Sequence, residues 1–417
     1  MRILKVVHTF LPNYYGGTEV LVSNLAKEMS DKHDVHVFFS NPTADVSDYN
    51  VKRRIFDGYT GWEVQKDVRK NIYFEETYID EKVDKSFEKK LEELKPDVVH
   101  FHHLIHLSTN LPKIAKKYNV PVVFTLHDFW FQCPMIKRVD LKNEMCDAVD
   151  SQKCVKCAKA RSPFSYTILE RIENIVFGNR DFDEIKKRKK ALLKAIKHCD
   201  LVIAPTKYLF EEFKKWGIPE DKFVYSADGI DNTHFSDIVK TKSKNFRFAF
   251  IGAIIPEKGL HVLIDAYNKS GIQNSLLHIF GDLNIDGEYA AKIQEKSVKN
   301  KRIIFRGTFL PEKIGKVFKD IDCLVMPSVW AENAPLVVKN AIIAKTPVIA
   351  SDIPGIKDNI EDGKNGLLFE MGDSEELRDQ MKKIVKKEEY EKIKNGIEKI
   401  KTAKDNAEEL VDLYKNF

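Results

Sequence analysis

The polar residues best placed for binding chemistry are Glu332 and Asn333, in the stretch Val329–Ile349 (VWAENAPLVVKNAIIAKTPVI). The apolar run Cys323–Met326 ahead of them reads as a buried strand. Pro335 suits the start of a helix, where its missing N–H is not needed. The free N–H groups of such a start attract phosphate or sugar hydroxyls, and a carboxylate just ahead of it can hold a hydroxylated ring. Asn340, two turns further on, is expected on the face that carries Glu332, so that the two grip one ligand. The other reading is a polar helix start beneath a core strand.

Further candidates sit at strand ends. Gly16-Gly17 follows the strand Ile3–Val7 and precedes a helix from Glu19 with Leu21, Leu25 and Met29 at helical spacing. Paired glycines let backbone approach a phosphate or sugar, although Gly-Gly-Thr is equally a good turn and helix cap. His102, His103, His127 and Asp128 lie at or just beyond expected strand ends. A histidine there can bond a sugar hydroxyl or share a proton with an acceptor, or simply be satisfied by a backbone carbonyl. His100, His102, His103 and His106 do not read as a metal site, because strand alternation sends His100 and His102 to one face and His103 elsewhere. Cys133, Cys146, Cys154 and Cys157 are spaced C-x12-C-x7-C-x2-C, a pattern that fits a structural zinc site. Free thiols and disulfides are the alternatives.

Short apolar runs alternate with helical patterns along the whole chain, which predicts two mostly parallel α/β domains of the doubly wound kind. Strands are expected at 35–39, 71–74, 98–101, 120–126, 201–204 and 223–225, and again from Phe248 onward. The expected boundaries are a first domain 1–231 with a cysteine-rich insertion 133–157, a linker 232–246, a second domain 247–395, and a C-terminal helix 396–417 that returns to the first domain. With 417 residues there is room for two cores. A net charge of +5 on 68 basic and 63 acidic residues gives no reason to expect a nucleic-acid partner. No membrane-spanning run or signal peptide is evident, so a cytoplasmic protein is expected. A basic helix at 185–198, with Ile185, Leu192, Leu193 and Ile196 inward, reads as a solvated face or as a dock for anionic lipid at the inner face of the cell membrane.

Several motifs in order resemble the family 4 glycosyltransferases, retaining enzymes of the GT-B fold with two facing Rossmann-like domains and a cleft between them. Glu332 matches the first Glu of the family's Glu-x7-Glu pattern, and Asn340 stands in place of the second. Lys258, in Glu257-Lys258-Gly259, matches the family's diphosphate lysine, and Ala253 stands where an Arg is usual. The resemblance implies a donor site of Gly16, Gly17, Lys258, Phe309, Glu332, Asn333, Ala334, Pro335, Leu336 and Asn340. Phe309 is carried over to pack on the nucleotide base. It implies His127, Glu332 and Lys258 as the catalytic group, His102, His103 and Asp128 on the acceptor side, and no catalytic metal. The implied reaction moves a hexose-type sugar from a UDP- or GDP-sugar to a surface polysaccharide or glycolipid. With both Asn340 and Ala253 departing from the pattern, a nucleotide-sugar-binding or scaffold protein on the same fold stays open. So, more remotely, does a nucleotide-sugar epimerase.

Overall fold

The computed structural model describes residues 1–41, 48–67, 74–141, 146, 151–161, 180–235 and 238–417. Two units emerge, one of Met1–Gly229 with Ala403–Phe417 and one of Ile230–Thr402.

The first unit is built on an eight-stranded sheet, in order β3-β4-β2-β1-β5-β6-β7-β8. In chain order the strands are β1 Arg2–Val7, β2 Asp34–Asn41, β3 Val51–Ile55, β4 Thr60–Gln65, β5 Val98–Phe101, β6 Val122–Thr125, β7 Leu201–Ala204 and β8 Phe223–Tyr225. All neighbours are parallel except β3 and β4. The central strands are continuous apolar runs because both of their faces are covered. On one face, Leu21, Leu25 and Met29 of the helix Gly17–Ser30 pack with Leu410, Val411 and Tyr414 of the helix Ala403–Tyr414. The pair β3-β4 has no counterpart in the sequence reading. β3 (VKRRI) is an exposed, charged edge strand, which suppresses the apolar alternation that announces strands.

The second unit has six parallel strands in the order β11-β10-β9-β12-β13-β14. These are β9 Phe246–Ile251, β10 Ser275–Phe280, β11 Ile303–Gly307, β12 Cys323–Met326, β13 Val348–Ser351 and β14 Gly366–Phe369. Strand order reverses between β9 and β12. In such sheets the crevice beyond the carboxyl ends at that point is where ligands bind.

Four expectations need correction or restriction. The segment read as a linker, 232–246, packs on the second unit: Phe235 is buried against Phe318, and Lys240 donates to the carbonyls of Phe318 and Ile321. The final helix begins at Ala403, and 396–402 stays with the second unit, because Ile397 is buried in its core. In the basic helix, which spans Arg180–Lys197, Arg188 turns inward although it reads as part of the solvated face. It donates to the carbonyl of Trp130 and lies 4.9 Å from that ring. Of the strand expected at 71–74, residues 71–73 lie outside the described residues, and Phe74 begins a 3-10 turn, Phe74–Thr77. Among the described residues no helix is long and apolar enough to cross a membrane.

Candidate functional site

In the second unit, the two loops that leave β9 and β12 meet at the switch point. Gly259 has φ +67° and caps the helix Leu260–Ser270, and a Cβ there would stand 1.8 Å from the carbonyl oxygen of Pro327. Only glycine allows that approach. The backbone N–H of Val329 in turn donates to the carbonyl of Glu257 at 2.9 Å. These contacts place Lys258 over Glu332.

Glu332 is buried, and one oxygen, Oε1, takes three donors. They are Lys258 Nζ at 2.7 Å, Ser328 Oγ at 2.8 Å and Trp330 Nε1 at 2.7 Å. Lys258 also lies 5.2 Å from the Trp330 ring, within reach of a cation–π contact. The second oxygen, Oε2, carries no hydrogen bond among the described residues and is open to an incoming hydroxyl. Charge-assisted bonds of this kind are the strong ones, so the carboxylate is oriented before any ligand arrives. The sequence reading missed Ser328 and Trp330. Both are close in sequence to Glu332, yet neither residue type announces a bond that depends on how the loop turns.

The helix begins at Leu336 with Pro335 as its cap, and Asn333 is buried just before it. Ala334 and Leu336 are half-buried. Glu332 therefore lies in the loop, off the helix, and does not share a helical face with Asn340. The Asn340 side chain makes no hydrogen bond among the described residues. Phe309 is half-buried and meets Phe280 edge-on at 5.6 Å. Ala253 leaves Lys258 as the cation of these two loops.

In the first unit, His102, His127 and Asp228 form a row beyond the ends of β5 and β6. Nδ1 of His102 is 2.9 Å from Nε2 of His127, whose Nδ1 lies 3.9 Å from Oδ2 of Asp228. His103 instead pairs with Asp128 at 3.1 Å, and accepts at Nδ1 from the Ile105 N–H, so its proton sits on Nε2. Asp128 also caps the Trp130 N–H at 2.8 Å. Burial pushes the Asp128 carboxyl up, but the electrostatics and hydrogen bonds of its surroundings, chiefly His103 and the Trp130 N–H, outweigh it and leave the pKa below the ordinary value. Burial holds His8, His100 and His102 well below the usual imidazole range, and lowers His127 too. His102 and His103, expected on the acceptor side, are almost completely buried.

Gly16 caps the helix Gly17–Ser30, as the glycine pair suggests. Glu19, one turn in, is buried, accepts from Thr9 Oγ1 and approaches His8 at 3.5 Å. A Cβ on Gly16 would meet its Oε2 at 2.4 Å. This carboxylate already stands at the positive helix end. It was not singled out from sequence because first-turn acidic residues are common.

Among the described residues the four cysteines form no disulfide. Cys154 and Cys157 share the helix Ser151–Arg161, whereas Cys133 and Cys146 come from irregular chain. Among the described residues no three of the four sulfurs lie within 4.8 Å of one another. The guanidinium of Arg188 interacts electrostatically with Cys133 and Cys154.

Two Rossmann-type units, the second with a carboxylate and a lysine joined at its switch point, define an α/β protein of the GT-B kind. The family model for Glycosyltransferase Family 4 matches residues 15–234, and that for Glycosyl transferases group 1 matches 231–401. The chain belongs to glycosyltransferase family 4. It resembles the poly(ribitol-phosphate) alpha-N-acetylglucosaminyltransferase of Staphylococcus aureus, at 29% identity over 32% of this chain and 27% of that protein. It also resembles the processive diacylglycerol alpha-glucosyltransferase of Acholeplasma laidlawii, at 26% identity over 48% of this chain and 66% of that one. An uncharacterized glycosyltransferase of Methanocaldococcus jannaschii is 29% identical over 34% of this chain and 39% of its own length. These matches span from about a quarter to two thirds of the relatives' lengths. Among solved structures, sucrose-phosphate synthase from Thermosynechococcus elongatus superposes with a TM-score of 0.70 at 15% identity, covering 100% of this chain and 98% of that one. Anabaena HepE in complex with UDP and glucose superposes with a TM-score of 0.65 at 16% identity, over 100% and 99%. Both likenesses support the GT-B fold.

Proposed function

We propose that the protein transfers a sugar from a UDP- or GDP-sugar to a polysaccharide or glycolipid acceptor, with retention at the anomeric carbon. The observation that carries this reading is Glu332, fixed at Oε1 by three donors and open at Oε2 beside Lys258. In this reading Oε2 accepts from a hydroxyl of the donor sugar, and Lys258 faces the diphosphate. The bond from C1 to the phosphate oxygen breaks, the acceptor oxygen bonds C1 on the same face, and the acceptor proton passes to the leaving phosphate. A cation beside that phosphate stabilises the charge as it develops. The named activities of the staphylococcal and Acholeplasma relatives support glycan or glycolipid acceptors, and the UDP-bound neighbour supports a nucleotide-sugar donor.

Calorimetric titration with UDP, GDP and ADP in turn tests the donor site. Saturable binding of UDP or GDP is the expected result, and it names the base. Release of the same nucleotide from its sugar conjugate only when acceptor is present would establish transfer. Binding without acceptor-dependent release would instead identify a nucleotide-sugar-binding protein.

A further inference from the structure

The first unit buries polar atoms that the transfer reading leaves unused. Nε2 of His102 is fully buried and has no hydrogen-bond partner among the described residues, while its Nδ1 faces His127 Nε2 at 2.9 Å. We infer that His102 is a positioning residue, which holds His127 in the tautomer that carries its proton on Nδ1, facing Asp228.

Proton counting leads there. A neutral imidazole has one donor and one acceptor, and one proton lies between the two rings. If His127 supplied it from Nε2, His102 would carry its own proton on Nε2, where no acceptor exists among the described residues. A buried donor left unmade costs about 1–3 kcal/mol. If His102 supplies it from Nδ1, its N–H meets the Nε2 of His127 at 2.9 Å and only its own Nε2 lone pair stays bare, which costs less than an unmade donor. Burial depresses both rings, which keeps them neutral near pH 7.

The helix Ala403–Tyr414 braces this row at two places. Tyr414 OH lies 2.5 Å from Nδ1 of His100, which bonds Thr125 Oγ1 at 2.7 Å on its other nitrogen and stacks on His102 at 4.1 Å. Asn406 Oδ1 accepts from the N–H of Gly229, next to Asp228, at 3.1 Å. His127 thereby has its Nε2 already engaged and a directed donor on Nδ1. Its part in sugar transfer rests on the function proposed above, but its tautomer does not.

The test is a long-range proton–nitrogen correlation spectrum of the full chain labelled with 15N-histidine, at pH 7.5, with His127 assigned by the signals lost in His127→Gln. The expected wild-type spectrum shows a protonated Nδ1 and a bare Nε2. His102→Gln, whose amide can donate, should keep that pattern, and folded His102→Leu should lose it. A wild-type His127 protonated on Nε2 overturns the inference, as does an unchanged pattern in folded His102→Leu. If His102→Leu fails to fold, the wild-type spectrum decides alone. Nucleotide binding is titrated separately, so failure of the tautomer and failure of the transfer reading are told apart.

Discussion

The two units place polar residues beyond the same edge of similar sheets, yet they satisfy them in opposite ways. In the second unit a charge meets a charge: Lys258 keeps 24% of its side chain exposed while it bonds a nearly buried Glu332. In the first unit burial depresses a lysine and a row of histidines. Lys5, on β1 beside His100, is fully buried with no hydrogen-bond partner among the described residues, and burial lowers its pKa to about 7. The comparison teaches that a strand-end position does not by itself set the state of a side chain. In one unit a lysine finds a carboxylate partner, whereas in the other burial disfavours the charged form of each imidazole in the row.

Replacing the most costly buried group should sharpen the contrast most. Lys5→Met removes an amine whose shift from 10.5 to about 7 corresponds to about 5 kcal/mol at pH 7, and should stabilise the first unit by several kcal/mol in denaturant melts. The penalty is fully present below pH 7 and fades as pH rises toward 10.5, so the gain should shrink in that direction. No gain at pH 7 would show that Lys5 has a partner, such as an internal water.

In the second unit the expected loss comes from backbone. Gly259→Ala brings a Cβ against the Pro327 carbonyl at a positive φ, and should cost about 3 kcal/mol and weaken nucleotide binding with it. Unchanged stability and binding would mean that the two loops can separate freely.

Acid should then distinguish the units. His8, His100, His102 and His127 have folded pKa values below the unfolded 6.5, so their contribution is present above pH 6.5 and is lost as pH falls beneath it. Each can cost up to about 1.4 kcal/mol per pH unit. In the second unit, burial lowers the pKa of His261 and His278 in the same direction, without taking either well below the usual range. Hydrogen exchange between pH 6.5 and 5 should therefore open β5 before β12. Simultaneous opening would break the comparison.

The smallest expected effect is at Glu332 itself. Glu332→Ala and Lys258→Ala should each lower transfer at least tenfold, about 1.4 kcal/mol, with little change in melting temperature. Wild-type rates in both variants would remove the pair from the site.

Much of the second site was legible because its residues are close in sequence to features with local causes. Glu332 stands before a proline-started helix, and Lys258 before a glycine that the turn requires. Asn340 misled because the helix starts after Glu332, and one loop residue cancels a periodicity argument. The run of lysines and arginine at 186–190 read as a solvated face, and local pattern could not show that Arg188 turns inward.

What the sequence determined alone is most of the strands, their alternation with helices, and hence two mostly parallel sheets, because side-chain period and turn chemistry act over a few residues. The charged edge strand β3 and its partner β4 escaped it. Tertiary structure decided which polar atoms meet. Lys258 and Glu332 are 74 positions apart, His102 and His127 are 25, and His100 and Tyr414 are 314. Contacts at such separations depend on strand order and helix placement, which no local pattern encodes. They also decide whether a histidine at a strand end faces a ligand or lies buried against another histidine.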